Sequence, residues 1–216
     1  PSGKRRGTEM KKIGIGYENY KEFVDEKLYY VDKTLLIRDI LEKGGKVTLL
    51  TRPRRFGKTL ALSMLRTFFE AERDRGGNPV DNRRYFEGMK IMDCEEEILS
   101  HMGQYPVIKF TLKSAKQPWF YGAFMKLRDE IIGEFGRHAY VLESDALAED
   151  KKEDFRSFLR AGTIWRKWEE TFPDREEKEK AFREEVARFS TALRTLSECL
   201  ELYHGKKVIL LLDEYD

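Results

Sequence analysis

Apolar residues in this chain recur at two different spacings, and each predicts a different element. Three short runs are apolar at nearly every position: Val47 to Leu50, Val107 to Leu112 and Val208 to Leu212. Runs of this length, bounded by turn residues, predict strands buried on both faces. Between them the period lengthens to that of a helix. Residues 18–26 predict a short helix. Leu35, Ile37, Ile40 and Leu41 predict one apolar face of a second helix over 33–43, with Asp32 as its cap and Gly44-Gly45 as its end. Leu62, Leu65 and Phe69, widened by Met64 and Phe68, predict an amphipathic helix directly after the first strand. The stretch 73–82 is a turn-rich loop. From about residue 118 the pattern is mainly helical, with Pro173 separating two long helices and Gly205 stopping the last one. The segment 145–180 is charged enough to predict a solvated helical insertion that projects from the body. Strands alternating with helices predict an α/β domain: a parallel sheet with helices on its faces.

Composition narrows the class. A chain of 216 residues suits one large domain or two small ones, and 40% hydrophobic content supplies a core. Charged residues are abundant, but 41 Lys and Arg against 39 Asp and Glu leave a net +2. That balance excludes a chain-wide field for attracting nucleic acid. Cys94 and Cys199 stand far apart, which fits a reducing, cytoplasmic compartment and no disulfide framework. His101, His138 and His204 lack the spacing of metal ligands. No apolar run reaches the roughly 18–20 residues of a membrane helix, and no signal peptide is visible. Residues 1–10 are a basic tail, and 11–216 form the body. The chain begins at Pro1 and stops at Asp216, just after a very apolar strand, so it is expected to be a piece of a longer protein.

The chemistry concentrates at the end of the first predicted strand. Thr51 to Thr59 read TRPRRFGKT, so a buried strand leads through a tight loop into a helix beginning with Gly57-Lys58-Thr59. Phosphates need positive charge and many N–H donors at close range. Gly57 lets the backbone approach an oxygen. Lys58 reaches the β- and γ-phosphates, and the Thr59 hydroxyl suits Mg²⁺. The helix N-terminus adds its dipole and free N–H groups. Phe56 and Leu60 flank this core and complete the expected cofactor-binding stretch. The usual G-x-x-x-x-G-K-T pattern opens with glycine, and here Arg52 takes that place. Arg52, Arg54 and Arg55 either contact nucleotide phosphates, bind DNA or RNA phosphates, or pair with acids to shape the loop. Arginine suits the first two because its planar fork donates two bonds at once. At the far end, the strand 208–212 finishes in Asp213 and Glu214. Alone, such acids simply end a strand in solvent. Coupled to the phosphate loop, Asp213 is expected to hold the magnesium shell and Glu214 to orient and polarise an attacking water.

These motifs resemble those of the AAA-ATPase-like family: TRPRRFGKT at 51–59, YVDKT at 30–34, Tyr105-Pro106-Val107-Ile108, and LDEYD at 212–216. The resemblance spans about residues 11–216. It implies a P-loop NTPase fold, ATP and Mg²⁺ as cofactors, and a mostly bacterial distribution. It also implies that Arg52 is a family trait, and that a C-terminal nuclease-like domain of the PD-(D/E)XK type often follows in the same chain. Oligomerisation and contact with nucleic acid are further partners it allows. Such proteins insert a later strand between the phosphate-loop strand and the Asp-Glu strand, and none follows Asp216. This piece is therefore expected to bind nucleotide poorly and to hydrolyse it slowly.

Three functions compete. The first is an ATPase module driving an attached effector. The second is a nucleic-acid-binding module that grips its ligand with the arginine-rich loop and hydrolyses nothing. The third is a small-molecule kinase, against which the Asp-Glu pair argues, since a water-activating base is a liability in phosphoryl transfer to another acceptor.

Overall fold

The computed structural model describes residues 12–14, 16–51, 56–74, 76–166 and 174–214, with residues 163–166 as backbone only. The expected basic tail, Arg52, Arg54, Arg55 and Pro173 lie outside the described residues, as do Tyr215 and Asp216. The chain divides into two compact units: Pro1–Phe68 with Asn82–Met102, and Phe69–Asp81 with Gly103–Asp216.

The first unit is helical. It contains α1 (Tyr20–Asp25), α2 (Leu36–Lys43), α3 (Lys58–Phe69, whose last residue belongs to the second unit) and the short α4 (Glu96–Leu99). The Asn19 side chain caps α1 by accepting the Lys21 N–H, and Gly44 ends α2 in the left-handed conformation at φ 60°. Tyr20 is central to this unit. Its ring lies 5.4 Å from that of Phe86 and 5.5 Å from that of Tyr30. Its N–H donates to Ser63 Oγ at 2.9 Å, and its hydroxyl donates to the Tyr85 carbonyl at 3.1 Å. The helix α3 departs from its predicted amphipathic pattern, because every residue from Ala61 to Phe69 except Arg66 is buried. The buried Thr67 satisfies itself on its own helix, donating to the Ser63 carbonyl at 2.8 Å.

The predicted strand Val47–Leu50 does not form. These residues carry no strand conformation, and Val47 and Leu49 are 88% and 61% exposed. A strand exists only through its ladder, and among the described residues nothing pairs with 47–50.

The second unit holds the predicted parallel pair. Strands β1 (Val107–Thr111) and β2 (Ile209–Asp213) run in register from Val107 opposite Ile209 to Thr111 opposite Asp213. Four helices accompany them: α5 (Phe120–Arg137), α6 (Glu149–Arg166), α7 (Arg175–Phe189) and α8 (Ala192–His204). Gly205 stops α8 at φ 62°, as expected. The architecture is thus mixed helix and parallel sheet. Within the segment 145–180, α6 is helical from Glu149 and α7 from Arg175, and the first part packs into the body. Leu147, Phe155, Phe158 and Ala161 enter the main hydrophobic cluster, and the rings of Phe155 and Phe158 both lie 4.8 Å from that of Phe135. Its charges occupy the outer face, where Glu149 pairs with Arg156, Glu153 with Arg160, and Lys151 with Glu198 of α8 at 2.7 Å. Overall charge density concealed an apolar stripe of helical period.

Two polar features organise this unit. Arg128 of α5 is 1% exposed. It donates to the Ala161 carbonyl of α6 at 3.0 Å, and its Nε lies 3.2 Å from Glu185 Oε1 of α7, an ion pair not aligned as a hydrogen bond. Burial draws its guanidinium below the ordinary value, and Glu185 works against that. The second feature closes the outer edge of β1. Ile209 N–H donates to Pro106 O and Leu112 N–H to Asp213 O, so the odd-numbered backbone groups of β1 face away from β2. Tyr105 pairs there with the backbone of Phe69 and Ala71. Farther along, side chains of α5 replace a strand. Glu134 accepts the Lys109 N–H at 3.0 Å, while Arg137 and His138 both donate to the Val107 carbonyl. Arg137 also pairs with Glu70 and Glu134. Burial opposes its charge, but the two carboxylates outweigh burial and hold the guanidinium charged.

His138 opens a short relay. The Val107 carbonyl accepts only, so His138 Nε2 carries a proton and donates to it. The Tyr140 hydroxyl bridges His138 Nδ1 at 3.1 Å and His204 Nε2 at 2.9 Å. Burial, and then the Arg73 guanidinium, push the His204 imidazole down to about 4 from 6.5. Between those values the unfolded ring binds a proton that the folded ring refuses. Stability from this group is therefore full above about pH 6.5 and falls as pH drops towards 4. In urea titrations, His204→Gln should flatten that part of the wild-type pH profile. Arg128→Ala strands the buried Glu185 carboxylate, although Arg188 also pairs with it. Urea unfolding followed by circular dichroism should show a loss of about 3 kcal/mol, partly recovered in Arg128→Met/Glu185→Leu.

Candidate functional site

The expected site residues fall into two groups, one in each unit. In the first unit, Gly57 adopts φ 75°, a left-handed conformation that residues with a Cβ rarely hold. The regular helix begins at the next residue, Lys58, and the Gly57 carbonyl accepts the Ala61 N–H at 2.9 Å. The N–H groups of a helix's opening turn point out of its N-terminus. Gly57, Lys58, Thr59 and Leu60 are partly accessible, and the Phe56 ring is 61% exposed. This is a helix N-terminus with donors and positive potential, entered through a tight glycine turn.

A residue that sequence reasoning passed over stands beside it. An ideal Cβ on Gly57 would lie 4.0 Å from Lys33 Nζ. Lys33 belongs to the YVDKT stretch, whose neighbours hold it firmly. Asp32 Oδ1 accepts the Thr34 N–H at 2.8 Å and the Thr34 hydroxyl at 2.6 Å, and Asp32 Oδ2 accepts the Lys90 N–H at 2.8 Å. Thr34 is fully buried and accepts the Ile91 N–H at 3.2 Å. Burial would raise the Asp32 carboxyl, but the Lys90 N–H and the Thr34 hydroxyl and N–H outweigh it and hold the group below its ordinary value. Asp32 therefore does cap, but it caps the turn before α2. The helix starts later than expected, at Leu36 behind Leu35, which makes no side-chain cap. Tyr30 packs against Tyr20 and Phe23, while Tyr29 is 59% exposed.

In the second unit, Asp213 ends β2 and is 5% exposed. Glu214 follows with φ 56°, a costly conformation for a residue other than glycine, and its N–H donates back to Asp213 Oδ1 at 3.0 Å. Glu214 Oε2 lies 3.4 Å from Lys116 Nζ. Lys116 follows the turn after β1 and also escaped sequence reasoning, because only the parallel pairing of β1 with β2 brings residues 116 and 214 together. Among the described residues no group of three or more His, Cys, Asp or Glu side chains could hold a metal ion. No described helix is long and apolar enough to cross a membrane.

A family model described as AAA-ATPase-like, predicted AAA-ATPase, matches residues 14–216. The chain belongs to this family. An uncharacterized protein from the vnfD 5′ region of Azotobacter chroococcum mcd 1 is 34% identical over 84 residues, which is 38% of this chain and 14% of that protein. No solved structure matches the chain.

The Asp32 anchor is testable by itself. Asp32→Ala removes the acceptor for three donors, one of them the Lys90 backbone N–H, and urea unfolding should register a loss of about 2 kcal/mol. Because the folded Asp32 stays ionised to lower pH than the unfolded one, the wild-type advantage should be full above about pH 4. It should shrink as pH falls further.

Proposed function

We propose that this AAA-ATPase-like chain is a nucleotide-binding ATPase module that hydrolyses ATP with Mg²⁺ to drive an attached effector. The observation that carries the reading is the left-handed Gly57 turn opening directly onto α3 at Lys58. Family membership and a parallel strand ending in Asp213-Glu214 support it. In this reading the α3 N–H groups and the Lys58 ammonium bind the β- and γ-phosphates. Thr59 and Asp213 supply a hydroxyl and a carboxylate, the hard oxygen donors that Mg²⁺ prefers while it keeps several waters. The ion, when bound, neutralises charge on the phosphate oxygens.

Glu214 accepts a hydrogen bond from the attacking water and aims it at the terminal phosphorus. The new bond forms from water oxygen to phosphorus, the bond to the bridging oxygen breaks, and ADP leaves with the electron pair. Lys116 steadies the Glu214 carboxylate before the water arrives.

Two variants test this assignment. Lys58→Ala should abolish ATP binding in calorimetry, and unaltered affinity would refute the role of the loop. Glu214→Gln should retain ATP binding and lower the hydrolysis rate by roughly 10²–10⁴-fold. Salt-sensitive binding of DNA that ignores ATP, with no hydrolysis, would favour the nucleic-acid-binding alternative instead.

A further inference from the structure

Three consecutive aromatic residues at the start of α5 stand open to solvent. Trp119, Phe120 and Tyr121 are 77%, 67% and 45% exposed. Their placement is nonetheless fixed. The Trp119 carbonyl accepts the Ala123 N–H at 3.1 Å. The Phe120 ring stacks on Phe124 at 6.3 Å and meets Phe182 of α7 edge-on at 6.1 Å. The Tyr121 ring lies 5.0 Å from Phe182, which itself meets Phe124 edge-on at 5.3 Å. Phe124 is buried in the main hydrophobic cluster. The outer rings are therefore seated on inner ones that reach the core. Single exposed apolar residues need no explanation, but a contiguous aromatic surface marks an interaction site.

The charge around this surface selects the partner. Asp and Glu make up 39 of 216 residues, yet none occurs between Glu97 and Asp129. The same stretch carries Lys109, Lys113, Lys116, Lys126 and Arg128. Of these, Lys113, Lys116 and Lys126 are exposed. The first two belong to the turn that leads from β1 to Trp119, and Lys126 lies in the second turn of α5. Neighbouring carboxylates are engaged elsewhere. Glu214 pairs with Lys116 at 3.4 Å, Glu130 accepts from the Ser114 hydroxyl at 3.3 Å, and Glu179, three residues before Phe182, pairs with Arg175 at 3.3 Å. Flat apolar rings flanked by ammonium groups match a ligand in which flat rings alternate with negative charge. A nucleic-acid strand has that alternation. Its rings are open to stacking only where the strand is unpaired, which selects single strands over duplex.

We propose that Trp119, Phe120 and Tyr121 form a stacking platform for single-stranded nucleic acid, with Lys113 and Lys126 contacting its phosphates. A net charge of +2 does not oppose this, because the positive charge is concentrated locally. The platform uses no residue assigned to ATP binding or hydrolysis, so neither reading needs the other.

The test is fluorescence anisotropy of labelled oligonucleotides of about 20 nucleotides, titrated with the full chain: oligo-dT, oligo-rU and a DNA duplex of equal length. Wild type should bind single strands about tenfold or more tightly than duplex, and the preference between dT and rU assigns the sugar. Trp119→Ala and Phe120→Ala should each weaken single-strand binding roughly 5–100-fold, and Trp119→Tyr should retain most of it. Both alanine variants should melt near the wild-type temperature, since these rings are mostly exposed. Lys113→Ala/Lys126→Ala should lower the slope of log affinity against log salt by about 1.4, at about 0.7 per phosphate contact. If single strands bind but the Trp119 and Phe120 variants hold them like wild type, the ligand sits elsewhere and the platform is overturned. Equal affinity for duplex and single strand, or no binding at low salt, also overturns it. A wild-type dimer that Trp119→Ala splits in sedimentation would overturn it as well, by assigning the surface to a second copy of the chain.

Discussion

The clamp on the outer edge of β1 determines how a sheet of two strands can exist in this protein. A two-stranded parallel sheet is a poor structure alone, because each strand leaves half of its backbone groups unpaired. Here α5 solves the problem on one side with side chains. Glu134 takes the Lys109 N–H, and Arg137 and His138 cover the Val107 carbonyl, so three residues near one helix end mimic the hydrogen-bonding edge of a neighbouring strand. The guanidinium in this cluster is held between two carboxylates, those of Glu70 and Glu134. Closure of that edge also fixes polarity, because strand pairing is then open only along the far edge of β2. Among the described residues no strand occupies that edge, and Leu210, which lies on it, is 52% exposed.

The first unit meets a different constraint. Its central helix, α3, is buried from Ala61 onward, yet its first turn remains accessible. A helix that is apolar all round is fixed in position by its packing, and here aromatic residues hold it: Phe68 meets Phe86 edge-on at 5.4 Å, and Ser63 is tied to the Tyr20 backbone. Burial of the body fixes the direction in which the opening turn points. Gly57, in the left-handed conformation, leads directly into this helix.

Much of this was legible in the sequence, and the failures have separate physical causes. Strands β1 and β2 announce themselves because Val107–Leu112 and Val208–Leu212 are short apolar runs that end near turn residues. Val47–Leu50 carries the same signal and forms no strand, since apolar content expresses only a capacity to pair and the ladder requires a partner. Between residues 147 and 161 the opposite holds: the charge count hid Phe155 and Phe158, which enter the core from α6. Gly57, Lys58 and Thr59 were readable as a motif because they adjoin in sequence and open one helix. Lys33 and Lys116 were not, because each acquires its meaning from a residue far along the chain, Gly57 in one case and Glu214 in the other. The edge clamp was equally hidden, for nothing in Glu134-x-x-Arg137-His138 distinguishes it from an ordinary charged helix end.

Asp213 and Glu214 show how backbone geometry can separate the roles of adjacent carboxylates. In a continuing strand they would point to opposite faces, one buried and one solvated. The structure departs from that pattern at Glu214, whose left-handed backbone costs on the order of 1–3 kcal/mol. Two contacts offset part of this cost: the Glu214 N–H returns to Asp213 Oδ1, and the carboxylate meets Lys116. The first contact occupies one oxygen of Asp213. The second holds the Glu214 carboxylate by a partly exposed ion pair, an interaction weak enough in water for an incoming group to displace. Asp213 is thus buried and tied to the backbone, whereas Glu214 sits on a strained turn with a partly exposed partner. The same strain that makes position 214 unfavourable as structure frees its side chain from the alternation of the strand.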